Sequence, residues 1–265
     1  LCRPIVPSIA HFPFSVSRAR VSRLFPLANT PFIATRTPPI PMRQTQGIPV
    51  TASRPLLLGL VVAMIAGIGF LLLAHGMLES QFVGLNRRVL LAIHAYESPW
   101  LTAVARGLSF IGSGIGVTAI GGALCVQWIR KQRGVDAWMV GVLLVGCALI
   151  TEALKQVYQQ ARPQVFPPME AIFNFSFPSG HTLTSFAFAM FVSVLMLRRG
   201  NPTVKHWWIT AGLLSLATLI ATSRMYLGVH WPTDVAAGIL AATIWAATCL
   251  MTRRWIQTRK LRRSG

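Results

Sequence analysis

From Leu56 to Ala74 the chain runs 19 residues without a charged side chain. Coiled into a helix, that run reaches about 28 Å, close to the hydrocarbon thickness of a bilayer. A helix is the form that satisfies every backbone N–H and C=O inside lipid without help from water. The run is too long for the apolar part of a removed signal peptide, and no small-residue cleavage pattern follows closely. Five further apolar runs lie at about 108–129, 137–154, 181–197, 207–222 and 235–251. Charged residues make up only 12% of the chain, against about a quarter in a water-soluble domain. The expectation is an all-α, polytopic membrane bundle of six transmembrane helices over 56–252, with a basic tail over 253–265.

Lys and Arg number 25 against 6 Asp and Glu, a net charge of +19. Such a balance can mark a nucleic-acid partner, but here the basic residues flank the apolar runs and form no continuous stripe. They fit a topological role better. Counted from Met42, one set of loop ends holds 14 basic residues and the opposite set holds six. The positive-inside rule then places both termini in the cytoplasm. The segments after the first, third and fifth spans consequently emerge on the outer face. Trp100, Trp128, Trp138, Trp207, Trp208, Trp231 and Trp255 fall near span ends, as interfacial anchors do.

Residues 1–41, within a cytoplasmic start over 1–55, are rich in Pro, Ser and Arg and contain no acid. That composition builds no core. It reads either as a targeting extension or as sequence preceding a true start at Met42, and the second is favoured. Cys2, Cys125, Cys147 and Cys249 are widely spaced, so neither a disulfide nor a zinc site is expected.

Two of the outer segments, 155–180 and 223–234, hold the densest polar residues of the chain. Ionisable groups beside lipid are costly and mark function by default. The first element is Lys155 with Arg162-Pro163, two cations seven apart on one side of a continuing helix. The second is Pro178-Ser179-Gly180-His181 at a helix start, where free N–H groups favour an anion. The third is Ser223-Arg224, His230 and Asp234. Three fixed cations, a helix N-terminus, two histidines and one carboxylate suit a phosphate. The histidines and the carboxylate supply nucleophilic and acid–base groups. With a single carboxylate among cations, no metal and no other cofactor is expected.

These three blocks, K-x6-R-P, P-S-G-H and S-R-x5-H-x3-D, resemble the signature of the type 2 phosphatidic acid phosphatase superfamily, which also contains vanadium haloperoxidases and glucose 6-phosphatase. The resemblance rests on residues 155–234. It implies His230 as the nucleophile that becomes a phosphohistidine, and Asp234 as the group that fixes its tautomer. It implies His181 as the acid toward the leaving oxygen and then the base toward water. Lys155, Arg162, Ser179, Gly180 and Arg224 would bind the phosphoryl oxygens. The implied activity is a metal-independent membrane phosphatase acting on a lipid phosphate or isoprenoid diphosphate at the outer face of the cell membrane. A vanadate-dependent haloperoxidase-like enzyme and a non-enzymatic lipid-phosphate binding or transport protein are the alternatives. Spacing alone does not bring His230 to Asp234, because Pro232 starts a helix after the histidine.

Other polar residues receive blander readings. His75, His94 and His206 are expected to be interfacial, Glu152 to pair with a nearby cation, and the segment with Glu79, Arg87, Arg88 and Glu97 that ends at Ser98-Pro99-Trp100 to be amphipathic or interfacial without chemistry. Gly112 and Gly116 are expected to let two helices approach. Asn174-Phe175-Ser176 fits a glycosylation sequon.

Overall fold

The computed structural model describes residues 54–198 and 202–264; residues 1–41 and the choice of start lie outside the described residues. Eight helices and no strand occur among the described residues: α1 (Arg54–Leu78), α2 (Val83–His94), α3 (Pro99–Gly112), α4 (Gly114–Arg130), α5 (Gly134–Tyr158), α6 (Gly180–Leu197), α7 (Val204–Tyr226) and α8 (Pro232–Ser264).

Five helices are long and apolar enough to cross a membrane by themselves. α3 and α4, bent by 53° at their junction, are long and apolar enough only as a pair, the form of a broken span or a re-entrant loop. The second apolar run is therefore not one straight helix, and its helical part begins at Pro99, earlier than hydropathy placed it. Ser113 causes the bend. It leaves the helix in an extended conformation, and its Oγ accepts the Gly116 N–H at 3.1 Å to start α4. The two glycines separate here. Gly112 permits close helix approach as expected, since a Cβ would overlap Ile220 of α7. Gly116 serves the bend instead, because its Cβ would meet the carbonyls of Phe110 and Ile111.

α6 is the axis of the bundle. Its run of Phe, Ala, Val and Leu is apolar on every face, so it buries all round, with Leu183, Ala187 and Phe191 wholly enclosed. It packs against α7 and α8, with α5 alongside. α1 lies outside against α8 and presents Leu57, Ile65, Ile68, Leu71 and Leu72 outward. An exposed apolar band of this kind marks a lipid-facing surface.

Five of the tryptophans expected near span ends are exposed, but Trp128 is buried, with the Arg133 guanidinium 4.7 Å from its ring centre. The last helix continues through the basic residues after Met251. Within it Arg253 joins Arg133 on the buried Asp136, whose oxygens lie 2.5 Å from each partner. The C-terminal end of α5, the start of α6, the C-terminal end of α7 and the start of α8 share one end of the bundle. All three sequence blocks sit there.

Candidate active site

α7 turns into α8 within five residues. Leu227, Gly228 and Val229 donate their N–H groups to Ser223, Met225 and Arg224, closing the C-terminus of α7. Gly228 takes φ +72, and a Cβ there would also press on the Phe166 ring. His230 follows, and Pro232 opens α8 as expected. Trp231 is the N-cap, and Asp234, three residues on, reaches back so that its Oδ2 accepts the Trp231 N–H at 2.8 Å. The same oxygen lies 3.2 Å from His230 Nδ1. The contact that residue spacing could not supply thus arises from capping geometry.

Ser176 donates a further, short hydrogen bond to Asp234 Oδ2. His230 and Asp234 are 2% and 0% exposed. With its Nδ1 proton directed to Asp234, the imidazole presents the Nε2 lone pair on the other side, where Arg162 Nη1 lies 3.5 Å away. Burial holds the imidazole down to about 4 from an ordinary 6.5, although Asp234 pulls the other way. The ring is therefore neutral at physiological pH, the form in which it is a nucleophile.

α5 ends at Tyr158, with Gln159 left-handed at φ 45, so Lys155 and Arg162 do not share a helix face as expected. Pro163 disfavours helix for the residue before it. Arg162 is instead fixed by its fork: Nε donates to Asn174 O at 2.8 Å, Nη1 to Val229 O at 2.5 Å and Nη2 to Asn174 Oδ1 at 2.5 Å. Burial and the nearby Arg224 lower its guanidinium to about 10, still charged at neutral pH. Lys155 is buried on the last turn of α5.

Arg224 is 1% exposed. Its Nη1 donates to Ser109 Oγ and, at 2.8 Å, to Glu170 Oε2, while Nε and Nη2 are buried without a partner. Two such donors in a closed site call for an anion. Ser179 is the N-cap of α6. Its N–H donates to Asp234 O at 3.1 Å and its Oγ accepts from Thr182 at 3.0 Å. Gly180 opens the helix, with Thr151 where its Cβ would stand. His181 follows, and the charges of Arg224, Lys155 and Arg162, together with the His230 ring, all act on it. Lys155, Arg162, His181, Arg224, His230 and Asp234 thus lie near enough for their charges to act on one another, and Ser179 joins them through Asp234.

Several partners were not legible beforehand. Glu170 is a second carboxylate, on the loop before α6, where one was expected. Asn86 of α2, in the segment assigned no chemistry, is buried and holds Thr233 through Oγ1 at 3.1 Å and the backbone N–H at 3.3 Å. His94, expected to be merely interfacial, lies 3.3 Å from Glu97 and stacks on Phe166 at 3.8 Å. Glu152 accepts from Gln156 at 2.6 Å, and its charge also acts on Lys155, the nearby cation. Asn174 and Ser176, read as part of a sequon, are bound to Arg162 and Asp234. Replacing Ser176 by Ala removes a donor to a buried carboxylate; we expect kcat to fall about tenfold with KM nearly unchanged. Steady-state kinetics on the purified variant will check this.

Comparison with known proteins turns this geometry into a family. The PAP2 superfamily profile matches residues 136–258. The decaprenylphosphoryl-5-phosphoribose phosphatase of Mycobacterium tuberculosis is 30% identical over 158 residues, 57% of this chain and 80% of that protein. The chain belongs to the PAP2 superfamily. A second PAP2 relative, phosphatidylglycerophosphatase B of Bacillus subtilis, is 26% identical over 172 residues, 64% of this chain and 83% of its own. The fold matches the crystal structure of a transmembrane PAP2-type phosphatidylglycerolphosphate phosphatase from Bacillus subtilis with TM-score 0.66 and 21% identity, over 71% of this chain and 94% of that one. The described PAP2 chain is a multi-pass membrane protein and a phosphoric ester hydrolase by its relatives.

Proposed function

We propose that this PAP2 phosphatase removes the terminal phosphate of a lipid phosphate or isoprenoid diphosphate through a phosphohistidine on His230. The observation that carries the reading is the His230 imidazole: Nδ1 is tied to Asp234, Nε2 is turned toward Arg162, and the charge of Arg224 also acts on the ring. In the first step Nε2 attacks phosphorus, an N–P bond forms and the P–O bond to the leaving group breaks. His181 gives its proton to the leaving oxygen. In the second step His181 takes a proton from water, the hydroxide oxygen attacks phosphorus, and the N–P bond breaks to release inorganic phosphate. Asp234 stabilises the imidazolium that forms in between.

Lys155, Arg162 and Arg224, with the free N–H groups opening α6, supply positive charge to the phosphoryl oxygens. That is why the reaction is expected to run without a divalent ion. The site lies at one end of the bundle, so a substrate can keep its tail in the bilayer and present its headgroup sideways. The distribution of basic residues favours the extracytoplasmic face, with both termini in the cytoplasm. The test is phosphate release from phosphatidic acid and from undecaprenyl diphosphate in detergent with EDTA present. Turnover of either supports the reading, and turnover restored only by added divalent ion contradicts its metal-free form.

The lowered His230 value gives a pH prediction. Nucleophilic Nε2 is available above about pH 4, so the acid limb of kcat/KM should fall near 4 and not near 6.5. A monoester and a diphosphate substrate run in parallel will separate the enzyme's limb from substrate ionisation. The unfolded chain takes up this proton more readily. The same group therefore costs stability as pH falls from about 6.5 toward 4, and nothing further below that.

A further inference from the structure

Arg224 lies in the last turn of α7 and is 1% exposed. A guanidinium is a rigid plane of N–H donors, so whatever holds one edge of it aims the other. Nη1 donates to Ser109 Oγ of α3 and, at 2.8 Å, to Glu170 Oε2 of the loop before α6. Nε and Nη2 form the adjoining edge of the same plane, and both are buried without a partner. Parallel N–H groups on one edge are the protein half of a bidentate grip on a phosphoryl group. The protein contacts thus fall on Nη1, and the Nε–Nη2 edge remains for a ligand.

An ion pair that served stability alone would be expected to satisfy that edge too, because a buried donor without a partner costs more than one hydrogen bond returns. Glu170 is also held in place independently of Arg224. Beside it in the chain, the Met169 N–H donates to Leu227 O at 3.0 Å, and Met169 O accepts from Arg106 Nη2 at 3.1 Å. The Met169 side chain packs against Ala105, Tyr226, Leu227 and Val229. The backbone therefore delivers the carboxylate to Arg224. The charge of Arg224 acts on Arg162, His181 and His230, so the orientation of this one guanidinium bears on the field at the reacting groups.

We propose that Glu170 is a positioning residue: with Ser109 it holds Arg224 by Nη1, so that the Nε–Nη2 edge meets the phosphoryl oxygens of the substrate side-on. The inference rests on the assignment of Arg224 to those oxygens, and it holds whether or not His230 is the nucleophile. A carboxylate on the far side of Arg224 also offsets its charge, so loss of that charge has to be separated from loss of the acceptor oxygen. Glu170→Gln and Glu170→Ala do this, since both lack the charge and only glutamine keeps an acceptor for Nη1.

The measurement is the Kd of the phosphonate analogue of phosphatidic acid for the detergent-purified protein, read by calorimetry, which needs no turnover. E170Q should bind within about threefold of the unaltered protein, and E170A about tenfold more weakly than E170Q, the cost of freeing the gripping group. E170N, the same amide one methylene short of Nη1, replaces E170A in the comparison should the alanine variant fail to fold. R224K keeps a charge but has no edge to orient, so it should itself lose about tenfold, and within it E170Q and E170A should bind alike. A residue that merely stabilises the loop would leave their difference in place there. Equal Kd in E170Q and E170A overturns the proposal while leaving Arg224 on the phosphate. Tighter binding by E170A overturns it too, because Glu170 would then compete for the phosphate seat. An R224K variant that binds like the unaltered protein removes the assignment of Arg224 and the proposal with it.

Discussion

His230→Ala will lower phosphate release by at least about 10⁴-fold, as removal of a nucleophile does in other enzymes that pass through a covalent intermediate. The argument is local. His230 Nε2 is the neutral, unprotonated nitrogen turned toward Arg162, and the ring is held from behind by Asp234. An alanine at this position leaves Lys155, Arg162 and Arg224 in place, so lipid-phosphate binding should persist within about threefold while turnover disappears, the pattern of an interaction used in the transition state. Phosphate release measured with equilibrium binding of a non-hydrolysable phosphonate lipid distinguishes the two. Loss of binding together with turnover would instead mean that the alanine had collapsed the site.

Asp234→Asn should cost about 10³- to 10⁴-fold in kcat, nearly as much although no reacting group is removed. Oδ2 of Asp234 takes hydrogen bonds from Ser176 and Trp231 and faces His230 Nδ1. An asparagine with its oxygen at the Oδ2 position keeps Ser176, the Trp231 cap and the acceptor facing His230 Nδ1, and its NH2 takes the place of Oδ1. What is lost is the negative charge that stabilises the imidazolium formed during transfer. Thermal stability should fall only modestly, by about 1 kcal/mol, because the cap survives. Asp234→Ala loses cap and charge together. Comparing melting temperature and kcat across the pair separates the two roles; equal kcat in the asparagine variant and the unaltered enzyme contradicts the role given to the charge.

The extent to which the sequence carried this account varies with the kind of interaction. Hydrocarbon thickness imposes a length on apolar runs, so five spans stand out directly. The pair α3 and α4 did so only in part, because hydropathy averages over Ser113 and does not register that one hydroxyl ends a helix and starts another. The three motif blocks were legible because phosphate chemistry demands cations and histidines at fixed positions. Their geometry was less so. Lys155 and Arg162 suggested one helix face, but Gln159 turns the backbone left-handed between them. Pro232 correctly warned that His230 precedes its helix, and the reach-back of Asp234 supplied what same-face spacing could not.

Ser176, Asn86 and Glu170 carried no recognisable pattern. A serine in a loop, an asparagine on an amphipathic helix and an isolated glutamate each have many bland explanations. Only tertiary contact shows that Ser176 serves Asp234, that Asn86 braces the first turn of α8 through Thr233, and that Glu170 engages Arg224.

The central claim is that phosphorus is transferred to nitrogen. Purified enzyme should be mixed for milliseconds with lipid substrate carrying a labelled terminal phosphate, quenched in alkali and digested. The predicted result is label on the peptide containing His230, stable to alkali and released by acid, and missing from His230→Ala. Phosphate release by an enzyme that never carries label on His230, with oxygen from water entering in a single displacement, is the result that would contradict it.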